Sequence, residues 1–261
     1  MKDNLMNKLM EEVMKKMDEV DETGTCAAAT GVCGLTEFVG TSIGDTIGLV
    51  IANVDASLHE AMKIDPKYRS IGIISDRTGA GPQIMAADEA VKATNTEMVI
   101  CEMARDTKGG AGHGCLIVFG AEDVSDAKRA VEVSLNDLDR TFGDVYGNDA
   151  GHLEFQYTAR ASFACNMAFG APIGKAFAAI IGAPAGIGVL ISDIALKAAN
   201  VELLGFASPD NGGTKYSNEG MIFVSGDAGA VRQAVYAARE AGKQALEALG
   251  GPCPSTTTPY I

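Results

Sequence analysis

The sequence has few aromatic residues and no excess of positive charge. It contains no tryptophan, and 21 lysines and arginines stand against 34 aspartates and glutamates, which gives a formal net charge of −13 at pH 7. Nucleic-acid backbones and anionic membranes attract clusters of lysine and arginine, often with aromatic side chains between them. No such cluster occurs in the 261 residues. We therefore expect neither nucleic acid nor a membrane surface as a partner.

Long apolar runs are also missing. A membrane-spanning helix needs about 20 consecutive apolar residues. The longest candidate, residues 176–199, is interrupted by glycines, by a proline and by the charged Asp193 and Lys197. The first residues mix acidic and basic side chains and have no apolar segment of the kind found in a secretory signal. These features predict a soluble, cytoplasmic protein.

Metal and nucleotide motifs are absent from the sequence. The six cysteines form no CxxC pair, so we expect no zinc site or other bound metal. Cys101 and Cys115 fall within apolar segments, which predicts buried, unreactive thiols. Glycine-rich turns begin at Gly79 and Gly186, but isoleucine occupies the third glycine position of the dinucleotide fingerprint in both. The sequence therefore predicts no cofactor.

The sequence does contain a long internal repeat. Residues 88–97, "DEAVKATNTE", return 105 residues later as "DIALKAANVE" at 193–202, with six of ten positions identical. The same order of strand, helix, strand, glycine-rich loop, strand and helix surrounds both segments. "GHLEFQYTA" from Gly151 also resembles "GLTEFVGTS" from Gly34, which suggests that the copies begin at these residues. Each copy has about 100 residues, an ordinary domain size.

Periodicity within each copy predicts an α+β fold. About four strands and two or three helices per copy favour helices packed on a mainly antiparallel four-stranded sheet. The predicted strands are residues 37–41, 48–54, 70–75, 97–103, 115–120, 151–159, 178–184, 201–207 and 221–226. The predicted helices are residues 55–64, 82–94, 126–138, 188–199 and 230–249.

The predicted domains are flanked by segments of different composition. Residues 1–20 predict an amphipathic helix, residues 21–33 a linker of small residues, 34–148 and 149–250 the two domains, and 251–261 a tail rich in proline and threonine. From these residues alone, the helix either folds back on the body or binds in a partner's groove, where methionines would form an adaptable surface. Its apolar stripe comprises Leu5, Met6, Leu9, Met10, Val13, Met14, Met17 and Val20.

Two matched glycine-rich loops, Asp106–Gly114 and Asp210–Gly220, carry the candidate chemistry. Of three histidines, only His113 lies where a substrate would reach it, and its counterpart in the second copy is Asn218. The loops are either flexible hairpin turns or the lining of an opening around a symmetry axis. Two other functions remain open: an enzyme whose site between the copies uses His113 and a loop lysine, and a duplicated sensor of small molecules.

Several of these segments resemble the bacterial microcompartment shell domain. The similarity lies in residues 193–205, 221–226 and 229–235 and, more loosely, in the first copy. Strands ahead of the core helix resemble the circularly permuted tandem form of that domain. Four long segments are similar to the branch found in propanediol- and ethanol-utilisation compartments. They are residues 33–55, 77–97, 105–114 and 138–148.

The resemblance implies a structural shell protein and not an enzyme. Three chains would form a homotrimer, a pseudo-hexagonal disc of six circularly permuted domains. Discs would tile the facets of a shell together with other microcompartment shell proteins. Lys92 and Lys197 match the family's tile-edge lysine.

The resemblance also assigns the two hairpin loops to pores, either at the trimer axis or within each subunit. Because the loops differ between the copies, a pore would have three-fold chemistry. Their polar, mostly uncharged side chains would suit small alcohols or diols such as propanediol or glycerol better than ions. The pore-lining residues carried over are Thr107, Lys108, Gly109, Gly110, His113, Gly213, Thr214, Lys215, Ser217 and Asn218.

In such shells, short amphipathic helices on tethers bind encapsulated enzymes. The resemblance therefore implies cargo binding by the first helix of this chain. The residues expected to contact the cargo are Leu5, Met6, Leu9, Met10, Val13 and Met17.

Overall fold

A computed structural model describes residues 34–77, 79–104, 114–209 and 218–261. The predicted helix 1–20 with its cargo-binding residues, the linker 21–33 and most of both glycine-rich loops lie outside the described residues. The structural statements that follow concern the described ranges.

The first repeat forms one antiparallel five-stranded sheet with helices. Its strands are β1 (Phe38–Ser42), β2 (Thr46–Ile51), β3 (Ser70–Asp76), β4 (Glu97–Ala104) and β5 (Gly114–Ala121). Its helices are α1 (Ala56–Ala61), α2 (Gly81–Ala93) and α3 (Val124–Thr141). The strand order is β1-β2-β3-β5-β4, so β3 lies at the centre and is joined to the second hairpin through α2.

The second repeat has the same topology. Its strands are β6 (Val145–Asn148), β7 (Gly151–Thr158), β8 (Ala176–Ala183), β9 (Glu202–Ala207) and β10 (Gly220–Gly226). Its helices are α4 (Phe163–Phe169), α5 (Ala185–Ala198) and α6 (Ala228–Gly250). The order β6-β7-β8-β10-β9 repeats that of the first sheet element by element. The predicted duplication and α+β class are confirmed.

The sheets differ from the prediction in three respects. Each has five strands, not four: the five predicted strand segments of the first repeat all pair in one sheet, and in the second repeat the edge strand β6, which was not predicted, adds the fifth. β6 lies within the predicted first domain 34–148 but pairs with β7, so the chain changes sheet before Val145. The match between Gly34 and Gly151 is also out of register, because the topological counterpart of β7 is β2 and not β1.

Each repeat buries a core between its sheet and its two long helices. In the first repeat α3 packs on β1, β2 and β3, and in the second α6 packs on β7 and β8. Phe119 and Phe155 are fully buried, and every residue of β8 is buried. Burying one such side chain contributes about 1.5–3 kcal/mol. The apolar positions of the helices and strands predicted from sequence therefore correspond to the buried core.

The tail 251–261 is docked on the second repeat. Asp144 is fully buried, and its Oδ2 accepts hydrogen bonds from the backbone N–H groups of Tyr260 (2.9 Å) and Ile261 (3.0 Å). Its Oδ1 accepts from Nη1 of Arg239 at 2.7 Å. Tyr146 of β6 pairs with Ser255 of the tail. The tail thereby covers backbone groups that an open sheet edge would expose.

The two repeats meet along a contact that we call the seam, formed by α2 of the first repeat against α4 and β7 of the second. Asp88 of α2 is fully buried and accepts hydrogen bonds from the backbone N–H groups of Ser162 (3.0 Å) and Cys165 (3.0 Å). Lys92 balances its charge at 2.9 Å. Met85 packs among buried residues of the second repeat, including Cys165 and Phe177.

We predict that Asp88→Ala lowers the free energy of unfolding by about 3 kcal/mol, because it leaves two N–H groups at the seam without an acceptor and removes one of the two carboxylates paired with Lys92. Urea unfolding at fixed protein concentration measures the change. The matched control is Asp139→Ala on α3, whose exposed side chain should contribute less than about 0.5 kcal/mol. Equal effects of both substitutions would contradict the role given to Asp88.

Candidate functional site

A cavity of about 470 Å³, here called the seam cavity, lies between the two repeats. The first repeat contributes the start of α2 and Met103 near the end of β4. The second contributes strand and helix residues from β7, β8, α4 and β10. Met103, Ala207 and Glu219 lie at the roots of the two glycine-rich loops, so both loops leave the fold beside the same cavity.

The start of α2 approaches the cavity closely because Gly81 has no side chain. A Cβ atom at Gly81 would collide with the carboxylate of Glu154 from the second repeat. Pro82 follows in the first helical turn, where its fixed φ and missing N–H are tolerated. Glycine followed by proline thus lets a backbone of one repeat lie directly against a carboxylate of the other.

One wall of the seam cavity is aromatic and apolar. The rings of Phe169 and Phe223 stack with centroids 5.0 Å apart, and Phe177 stacks behind Phe169 at 5.4 Å. Met221 and Ile181 extend this wall. Stacked rings are rigid, so this wall presents a fixed apolar surface to anything that enters.

An adjacent wall, the polar wall, holds three titratable groups on and beside β7, the strand that pairs with β8. Nε2 of His152 lies 3.0 Å from Oε1 of the buried Glu219. Oε1 of Glu154 accepts a hydrogen bond from Nε2 of Gln156 at 3.2 Å. Burial, and secondly the nearby Glu219, raise the pKa of the Glu154 carboxyl to about 7, while His152 and Gln156 oppose the rise. Near neutral pH the cavity therefore holds a carboxyl that is only partly ionised.

The residues predicted as pore-lining lie mostly outside the described part of the chain. Asn218 is described: it is exposed, and its Oδ1 accepts a hydrogen bond from the N–H of Ala185 at 3.3 Å. The two predicted tile-edge lysines have different surroundings. Lys92 is 26% exposed and bonded to Asp88 and Glu89, whereas Lys197 is 75% exposed and paired with Asp193 at 2.6 Å.

The polar wall contains none of the site residues predicted from the sequence. His152 and Glu154 are two residues apart on one strand, so they lie on the same face of the sheet, and this spacing was the available signal. Glu219 comes from the root of a loop more than 60 residues later, and only the fold brings it to His152.

The cysteine thiols do not form a nucleophilic site in the described ranges. Burial raises the pKa of Cys101 to about 11, and burial followed by the charge of Asp76 raises the pKa of Cys115 further. Both thiols thus stay protonated at neutral pH, in agreement with the prediction of unreactive sulfur.

The described ranges lack both a metal-binding cluster and a membrane-spanning helix. They contain no group of three or more histidine, cysteine, aspartate or glutamate residues that would hold a metal ion. Among the helices of these ranges, none is long and apolar enough to cross a membrane.

We predict that Glu154→Gln stabilises the protein above neutral pH. Because the folded-state pKa lies above the ordinary value of 4.5, the stability from protonating this carboxyl is complete below about pH 4.5. It is lost as the pH rises through about 7. Glutamine carries no charge, so its advantage in unfolding free energy should grow from pH 5 to pH 8, up to about 3 kcal/mol.

Urea unfolding at both pH values tests this. The control is Glu202→Gln on β9, where the side chain is exposed, and its difference from the unchanged protein should stay constant with pH. A Glu154→Gln variant with the same pH dependence as the unchanged protein would contradict the prediction.

Known proteins share long stretches of this sequence. The sequence profile of the BMC domain matches residues 70–148 and 176–252. The bacterial microcompartment shell protein PduB of Salmonella typhimurium strain LT2 is 64% identical over 235 residues, which cover 90% of this chain and 87% of that protein. PduB of Limosilactobacillus reuteri strain DSM 20016 is 57% identical, over 82% of this chain and 90% of that protein.

Solved structures agree with the sequence comparison. A trimeric bacterial microcompartment shell protein PduB matches with a TM-score of 0.83 and 54% identity, over 87% of this chain and all (100%) of that chain. EtuB from Clostridium kluyveri matches with a TM-score of 0.85 and 56% identity, over 88% of this chain and 100% of that chain. The chain therefore belongs to the BMC-domain family of bacterial microcompartment shell proteins.

Proposed function

We propose that this chain is a structural tile of a bacterial microcompartment shell, in the bacterial cytoplasm, and that it works as a homotrimer beside other shell proteins. The relatives named above are shell proteins, and one solved relative is trimeric. The observation that carries the proposal is a difference between the two repeats. One face of α2 is buried at the seam, and the same face of α5 is exposed.

The corresponding positions of α2 and α5 are 105 residues apart, as in the repeated ten-residue segments. Met85 is 1% exposed, and its counterpart Leu190 is 45% exposed. Asp88 is fully buried, whereas the side chain of Asp193 is 57% exposed. Val189 is also 52% exposed. The second repeat thus presents an apolar face of the kind that the first repeat buries.

A neighbouring chain would cover this face. We take the first repeat of the next chain to pack on α5 as the second repeat packs on α2. Each chain then has half of an unfilled seam at each of its two ends. Three chains close such a ring with six domains, because each supplies two. Exposed apolar surface flanked by charges is the usual mark of an interface.

We predict that Leu190→Asp converts the trimer to a monomer, because it places a charge in the middle of the proposed interface. Light scattering of the purified chain measures the change. Leu249→Asp on the last turn of α6 is the control, since Leu249 is 59% exposed and lies outside the repeated face. A trimer that survives Leu190→Asp would reject this interface.

We further propose that the seam cavity is the opening through which small metabolites pass within each subunit. Both glycine-rich loops, which hold the predicted pore-lining residues, leave the fold beside it. An apolar wall beside hydrogen-bonding groups suits neutral molecules with both kinds of surface, such as small alcohols and diols. Propanediol and glycerol fit that description.

We also propose that the chain itself catalyses no reaction. The relatives are structural, and His152 is held in a hydrogen bond with Glu219. The two thiols nearest to the first loop have raised pKa values, so they are poor nucleophiles.

We predict that Ala168→Trp slows diol entry into intact compartments severalfold, because an indole ring would occupy much of the cavity that Ala168 lines. The measurement is the rate of diol consumption by encapsulated enzymes, before and after the shells are broken. Met167→Trp is the control, since Met167 is 50% exposed and does not line the cavity. Equal rates for both variants in intact shells would place the passage elsewhere.

We propose finally that residues 1–20 bind an encapsulated enzyme. Support comes from the sequence, where an apolar stripe on a short helix is joined to the domains by a linker of small residues.

We predict that deleting residues 1–20 leaves shells that assemble but contain little enzyme. Purified compartments are compared for shell and enzyme content by gel densitometry. A matched variant replaces only Lys2, Lys8 and Lys15 of the polar side with glutamine and should keep its cargo. Unchanged loading after the deletion would refute cargo binding by this segment.

A further inference from the structure

A basic depression of about 420 Å³ lies beside the seam, although the chain as a whole carries 13 excess negative charges. Four cationic side chains line it: Lys92 and Arg140 from the first repeat, and Arg160 and Arg232 from the second. Glu89 is the one acidic residue of this lining. Such a local reversal of charge on an acidic protein attracts anions.

The four cations of the basic depression are not equally neutralised. Lys92 is paired with Asp88 and Glu89, and Arg140 forms a two-bond pair with Asp137 at 2.6 and 2.7 Å. Arg160 and Arg232 are exposed and contact no carboxylate within the described ranges. The uncompensated positive charge therefore comes from two guanidinium groups of the second repeat.

Aromatic rings hold two of the guanidinium groups in place. Arg232 lies over the ring of Tyr157 at 5.9 Å and donates to the backbone oxygen of Tyr260 at 3.4 Å. Arg140 lies over the ring of Tyr260 at 4.7 Å. The hydroxyl of Tyr260 is itself fixed by the backbone of Tyr157, from which it accepts at 3.1 Å and to which it donates at 3.2 Å. Stacked guanidinium groups lose less freedom when they bind.

A buried hydroxyl completes the basic depression. Oγ1 of Thr158 accepts hydrogen bonds from Nζ of Lys92 (3.4 Å) and from the N–H of Arg160 (3.3 Å). Both bonds use its lone pairs, so its own proton is left to donate to a ligand. Asp227 caps the neighbouring helix α6 and interacts with Tyr157, but it is not part of the lining.

We propose that the basic depression binds an oxyanion, a phosphate or a carboxylate, between Arg160 and Arg232 with Thr158 as an additional donor. The planar fork of a guanidinium group matches two oxygens of either anion. The oxyanion has two possible sources: a free phosphate-bearing molecule, or a carboxylate side chain of an adjoining shell protein. The first source does not depend on the shell function proposed above, and the second rests on it.

Thermal unfolding in inorganic phosphate, against chloride at equal ionic strength, tests the first source. The full-length chain should be stabilised by phosphate in a saturable manner. The Arg160→Ala/Arg232→Ala variant should lose at least about tenfold in phosphate affinity. The control is Lys63→Ala/Arg69→Ala, which removes two exposed cations of the first repeat that do not line the depression and should leave phosphate binding unchanged.

The second source is tested by following sheet formation of the same three proteins by light scattering at constant ionic strength. Loss of sheets in the Arg160→Ala/Arg232→Ala variant alone, without phosphate stabilisation of the unchanged protein, would identify a neighbour's carboxylate as the oxyanion. Normal sheets together with no saturable phosphate effect would overturn the proposal. Equal phosphate effects in the two double variants would overturn it as well, since phosphate would then bind elsewhere. Trimers that form normally but never make sheets would contradict the tiling function, and the phosphate arm would still decide the binding site.

Discussion

The buried carboxylate of Asp88 fixes how the two repeats meet. It lies on a helix of the first repeat and accepts hydrogen bonds from backbone N–H groups at the start of α4 in the second. A charge without exposure to water needs partners with definite positions, and Lys92 supplies the opposite charge. Since a shift of about 1 Å would break these hydrogen bonds, the seam holds one register. The seam cavity and the basic depression both depend on that register, because each takes residues from both repeats.

Much of this fold can be predicted from the sequence because the repeated helices and strands have clear local patterns. The helical spacing of residues 82–94 and 188–199 and the apolar strands around them identify α2, α5 and their neighbours within a few residues. β6 and α4 were missed for a physical reason. β6 has four residues, too few to display a period of two, and α4 is a seven-residue helix whose stability comes from α2 across the seam. Tertiary contacts define both elements.

The site is less visible in the sequence than the fold. Glu154 and His152 share a strand, but their partner Glu219 is more than 60 residues away, and the raised pKa of Glu154 exists only after burial beside it. The cations of the basic depression are separated by up to 140 residues and form no run. An overall charge of −13 argues against an anion site until the fold concentrates four cations in one place.

The duplicated segment has opposite requirements in its two copies. In the first copy the covering surface belongs to the same chain, so it is always present at high effective concentration, and Asp88 and Met85 are fully or almost fully buried from the time the chain folds. In the proposed trimer the covering surface of the second copy arrives only with another chain. Asp193 therefore stays in contact with water until assembly, and its exposed pair with Lys197 at 2.6 Å adds little to stability. Fusing two copies thus makes one contact permanent, while its counterpart forms on assembly. A chain that folds alone needs the first contact, and a chain that then joins a shell needs the second.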